Sequence, residues 1–89
     1  MAEANEFKLK LGETSKVRPG FFQGTISIVY AGMLNESIFS VVVRWSSGNN
    51  SLAYNLYIPK DQHEFFTPKG RVKVEDVSPE EIRFCYFDL

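Results

Sequence analysis

Apolar residues recur at every second position along nearly the whole chain, and no stretch shows the 3.6-residue recurrence of an amphipathic helix. Phe7, Leu9 and Leu11 alternate with Lys8 and Lys10. Ile26, Ile28 and Tyr30 alternate with Thr25 and Ser27, and Gly24 just before them predicts a bulge or a close backbone approach. Phe39, Val41, Val43 and Trp45 alternate with Ser40, Val42 and Arg44. Leu52, Tyr54, Leu56 and Ile58 are interleaved with Ala53, Asn55 and Tyr57. Near the end, Val72 and Val74 alternate with Arg71, Lys73 and Glu75, and Ile82, Phe84 and Tyr86 with Arg83, Cys85 and Phe87. Side chains of a strand point to opposite faces in turn, so each run has one apolar face and one polar face. A one-residue slip would turn every apolar set to solvent, which makes the register strongly specified.

Turn formers punctuate these runs. GETSKVRPG reads as a polar loop, GMLNE as a turn, and Gly48, Asn49 and Asn50 as the tight connection of an antiparallel hairpin. Pro59 closes the next run, and PKDQHEFFTPKG is the longest connection, with Phe65 and Phe66 in its middle and room for a seventh strand near Phe65. Ser78-Pro79 sets a tight turn, or SPEE caps a single helical turn. The fold expected is all-β: residues 1–89 as a single domain, a small antiparallel β-sandwich or partly closed barrel of six to seven strands. Aromatics make up 15% of the chain, more than one sheet face would bury, so two layers are expected. The predicted core is Phe39, Val41, Val43 and Trp45 packed with Leu52, Tyr54, Leu56 and Ile58, completed by Ile26, Ile28, Tyr30, Val72, Val74, Ile82 and Phe84.

Charge and chemistry narrow the function classes. Ten basic and eleven acidic residues leave a net charge of −1, which gives no global field toward a polyanion or an anionic membrane. Cys85 is the single cysteine, so no intramolecular disulfide or multi-cysteine metal site is available. That usage, with no apolar core in the first residues and no membrane-length apolar run, predicts a cytoplasmic protein. The lone histidine, His63, stands with Asp61 and Glu64 in a segment read as a solvated loop. No nucleophile elbow or phosphate-cradling loop is present, and Cys85 in an aromatic strand behaves as a small hydrophobe. No catalytic residue, metal or cofactor is expected.

A non-enzymatic protein-interaction module follows: an adaptor, immunity-type or assembly component that binds another protein or itself. Its candidate contact residues are apolar side chains outside the core phase or on the long connection: Val42, Tyr57, Phe65, Phe66 and Phe87. One alternative is a small nucleic-acid-binding β-barrel using Lys69, Arg71 and Lys73 with the Phe65–Phe66 pair, a partner class that the net charge disfavours. Another is a carbohydrate-binding domain with Trp45 or Tyr57 as a stacking ring and Asn49, Asn50 and Asn55 as hydrogen-bonding groups. LKLGETSKV, GTISIVYAG and SVVVRW resemble the opening strands of the carbon storage regulator family of RNA-binding translational repressors. The likeness covers under half of the chain, which lacks that family's arginine-rich first strand and offers no counterpart for its RNA-binding residues.

Overall fold

The computed structural model describes residues 5–18, 24–68 and 70–88, with the side chains of residues 5 and 88 left aside. They form eight strands: β1 Asn5–Lys10, β2 Thr14–Arg18, β3 Thr25–Asn35, β4 Ile38–Ser47, β5 Asn50–Pro59, β6 Glu64–Thr67, β7 Gly70–Val77 and β8 Glu81–Asp88. The strands make two four-stranded antiparallel sheets, ordered β1-β8-β7-β6 and β2-β3-β4-β5. Among the described residues no ladder joins the two sheets, so the barrel alternative gives way to two open sheets. No described helix is long and apolar enough to cross a membrane.

Over most of each run the alternation read from the sequence is the alternation of burial, although Leu11 lies past the end of β1 and is exposed. Ile26, Ile28 and Tyr30 of β3, Phe39, Val41 and Val43 of β4, and Val17 of β2 line the second sheet's inner face. Val72, Val74 and Val77 of β7 and Ile82, Phe84 and Tyr86 of β8 line that of the first, and the two sets form one core. Phe7 stacks on Phe84 with ring centroids 5.4 Å apart. The Tyr30 hydroxyl donates to the Ser78 carbonyl, a tie from β3 to the β7–β8 turn, and burial pushes its pKa above the ordinary tyrosine value. Ser78 shapes that turn: its hydroxyl accepts from the amides of Glu80 and Glu81, and no helical turn forms.

Three expectations are corrected. The strand count is eight, because GETSKVRPG is not all loop: Thr14–Arg18 is β2, an edge strand paired with β3. Its periodic signal is faint because Val17 alone is deeply buried, while Lys16 and Arg18 give it the charge typical of a guarded edge. The seventh strand allowed for near Phe65 is present as β6, which holds Phe65 and Phe66. Leu52, expected in the core, is 49% exposed, and Trp45 is only half-buried at the core margin. Burial on the inner face of β5 falls steadily toward the hairpin turn: Ile58 is buried, Leu56 and Tyr54 are half-buried, Leu52 is open.

Gly24 meets its expectation of a close approach: a Cβ there would lie 2.6 Å from the Ser46 carbonyl oxygen and 2.7 Å from the Trp45 indole nitrogen, at a φ of +95°. Only glycine lets the chain enter β3 against the end of β4 in this way.

Candidate functional site

The β4–β5 hairpin turns through Gly48 and Asn49, with Ser47 opposite Asn50. Gly48 has a φ of +57° and Asn49 does not share its sign, which is the pattern of a type II′ turn with glycine at its first central position. Residues flanking such a two-residue loop exchange both backbone hydrogen bonds, and bonded pairs then recur at every second position. Asn50, Leu52, Tyr54, Leu56 and Ile58 therefore bond toward β4. The far end of the hairpin has the same parity: the Lys60 amide donates to the Ser37 carbonyl at 2.7 Å.

The N–H and C=O groups of Ser51, Ala53, Asn55 and Tyr57 thus point away from β4, toward a side on which β5 has no neighbouring strand among the described residues. Pro59 has the same parity, so its missing N–H falls on the free side and costs the β4 ladder nothing.

Exposed edges are normally blunted by shortness, charge or cover. The other three edge strands follow that rule. β1 is six residues long and carries Glu6, Lys8 and Lys10. β2 has five residues with Lys16 and Arg18, and β6 has four with Glu64. β5 is ten residues long and contains no Asp, Glu, Lys or Arg. It also presents two of the exposed large hydrophobic side chains, Leu52 at 49% and Tyr57 at 58%. Desolvation raises the pKa of Tyr54 between them, so this ring stays a neutral phenol at ordinary pH.

Beside this edge, the outer face of the second sheet forms a shallow groove of about 600 Å³ whose lining includes Lys16, Ser27, Arg44, Ser46, Ser51 and Ala53. In register, Lys16 and Arg44 both sit opposite Ser27, one strand away on either side. Trp45 also reaches the groove, from the half-buried row behind it.

The candidate contact residues do not gather on one surface. Val42 is half-buried and faces outward on β4 opposite Asn55, and Tyr57 lies further along the same face opposite Ser40. Phe66 and Phe87 flank Arg71 on the outer face of the first sheet, on the other side of the molecule. Phe66 is 59% exposed, whereas Phe87 is half-buried beneath the Arg71 guanidinium, which sits 5.0 Å from its ring centroid. Phe65 is a core residue at 5% exposure: its position in β6 turns it inward and its neighbour Phe66 outward.

Of the basic set, Lys69 lies outside the described residues. Arg71 pairs with Glu64 (Nε to Oε2, 3.7 Å), and Lys73 stands between Glu64 and Cys85 in register. Lys8–Glu81 at 3.5 Å and Arg83–Asp76 at 3.9 Å continue this alternation of sign, so the first sheet presents no unbroken basic strip. Cys85 sits in this face with its thiol pKa raised, first by burial and then by the charges of Glu75 and Glu6. His63 is exposed, and no group of three or more His, Cys, Asp or Glu that could hold a metal ion occurs among the described residues.

The β5 edge escapes a reading of the sequence, which presents Tyr57 as one outward ring rather than as part of an uncharged rim. A usable signal is present all the same: ten residues, Asn50–Pro59, without a charge in a chain that is 24% charged. Comparison of the chain with protein-family models, with curated proteins and with solved structures finds no match to any of them.

Proposed function

We propose that the chain is a non-enzymatic protein-interaction module of β-sandwich type that binds its partner by strand addition along β5. The observation that carries this reading is the contrast among the four edges: only β5 is both long and free of charge. Such an edge offers main-chain hydrogen bonds for affinity, and side chains alternating to either face supply specificity. Here Leu52, Tyr54 and Leu56 give the apolar side, and Ala53, Asn55 and Tyr57 the outer one. Val42 extends the outer contact by one strand, next to Asn55. The Cys85 thiol, held protonated by burial and by Glu75 and Glu6, suits a packing role rather than a nucleophilic one. An unpaired thiol also fits a cytoplasmic setting. The nucleic-acid alternative draws little support from Arg71 and Lys73, which are interleaved with acids.

Affinity capture from a lysate of the source cell tests the proposal, using the wild-type chain, Asn55→Pro, Leu52→Lys and Phe66→Ser. A partner held by wild type and Phe66→Ser but lost from the two β5 variants supports strand addition. A partner retained equally by Asn55→Pro overturns it.

A further inference from the structure

We infer that the strand added to β5 is the β5 of a second copy of this chain, paired antiparallel about a two-fold axis through Tyr54. This deepens the interaction reading and rests on it. In antiparallel addition about a two-fold axis, a charge meets its own image on the axis and another residue elsewhere. Lys16 and Arg18 of β2 would therefore repel each other about Val17, whereas an uncharged edge meets no like charge in any register. β5 brings no charge to the axis. The net charge of −1 per chain adds little long-range repulsion.

Hydrogen-bonding parity then selects the register. The groups free to bond belong to Ser51, Ala53, Asn55 and Tyr57. With Tyr54 on the axis, Ser51 faces Tyr57 of the second copy and Ala53 faces its Asn55, so all four are used and none meets a proline. Moving the axis to Asn55 places Ser51 against Pro59, which has no N–H to return.

The Tyr54-centred register also joins the inner faces well. Tyr54 meets its own counterpart in a non-hydrogen-bonded pair, where side chains approach most closely, and Leu52 meets Leu56. The row left open near the hairpin turn is thereby covered: Leu52, at 49% exposure, gains an apolar neighbour. The two second sheets become one continuous sheet with the β5 strands at its centre. On the outer face, Ala53 opposite Asn55 leaves a place where opposite charges can be introduced.

Sedimentation equilibrium from micromolar to sub-millimolar concentration provides the test, with wild type, Asn55→Pro, Ala53→Lys, Asn55→Asp and an equimolar mixture of the last two. Wild type should pass from monomer to dimer. Asn55→Pro removes one outward N–H per copy and should weaken association at least about tenfold. The Ala53→Lys and Asn55→Asp mixture should associate more tightly than either variant alone, because the introduced ammonium of one copy then faces the introduced carboxylate of the other across the axis. A wild type that stays monomeric throughout, or an Asn55→Pro chain that dimerises as well as wild type, overturns the second-copy inference. A mixture no tighter than its components overturns the Tyr54-centred register. If wild type is monomeric yet a captured partner is lost from Asn55→Pro, the interaction reading stands and only the second copy is removed.

Discussion

Two prolines placed one residue apart in β5 should have very different costs. The amide of Leu56 bonds toward β4, where its register partner Val41 is fully buried. Leu56→Pro removes that ladder bond, worth about 1 kcal/mol net, and leaves a buried carbonyl unsatisfied at about 1–3 kcal/mol. It also loses part of a half-buried leucine side chain, about 1 kcal/mol more. A loss of roughly 3–5 kcal/mol is expected, against the roughly 5–15 kcal/mol that holds such a domain folded. The amide of Asn55 points to the free side, and its side chain is exposed. Asn55→Pro breaks no bond within the chain, and the residue before it is already extended, as proline requires. Its cost reduces to fitting the fixed φ, about 1 kcal/mol. Urea melts in dilute solution should separate the two midpoints by about 1–2 M. Equal midpoints, or an Asn55→Pro chain less stable than Leu56→Pro, would refute the hydrogen-bond parity assigned to β5.

Gly24→Ala combines a positive φ with a Cβ 2.6 Å from the Ser46 carbonyl oxygen, and should cost roughly 2–4 kcal/mol in the same melts. Stability within about 0.5 kcal/mol of wild type would mean that the entry to β3 is looser than described. Burial raises the pKa of Tyr30 and Tyr54 from 10.0, so the folded form holds these protons more tightly than the unfolded chain. Their contribution is complete below about pH 10 and is lost as pH rises through the folded values, so these two groups should make melts weaken on the alkaline side. Tyr30→Phe should flatten part of that alkaline loss while lowering neutral-pH stability by about 1 kcal/mol through the missing bond to Ser78. An alkaline slope unchanged in that variant would show that Tyr30 does not carry it. Phe66→Ser on the first sheet should change stability by less than about 1 kcal/mol, since that ring is 59% exposed, and should leave self-association intact.

Alternation is legible wherever a strand has two large apolar residues on one face and a layer above them. Ile26, Ile28, Tyr30, Phe39, Val41, Val43, Val72, Val74, Ile82 and Phe84 are all buried as the period requires. Phase alone does not show how far the opposite layer extends, and this is why it places Leu52 inside. Its neighbours across the sheet, Trp45 and Ile26, become more buried toward the sheet interior, a gradient set by tertiary packing. β2 is missed because an edge strand with one buried side chain has too few alternations to stand out from a polar loop. Phe65 reads as a surface residue because a double phenylalanine in a polar stretch carries no phase until its strand partners are known; its pairing opposite Val72 turns it inward. The free edge of β5 depends on sheet order, which follows from how the two sheets assemble. The lack of charge from Asn50 to Pro59 is readable, but its meaning requires knowing that the strand has only one neighbour.

Residue-resolved amide hydrogen exchange along β5, compared between dilute and concentrated protein, tests the edge and its partner together. In dilute solution the amides of Leu52, Tyr54, Leu56 and Ile58 should be protected by β4, while those of Ser51, Ala53, Asn55 and Tyr57 exchange freely. At high concentration the second set should slow as the added strand takes up its bonds. Alternating protection that becomes continuous with concentration is the expected result. Uniform protection already in dilute protein, or self-association that leaves Ala53 and Asn55 exchanging freely, would contradict strand addition at β5.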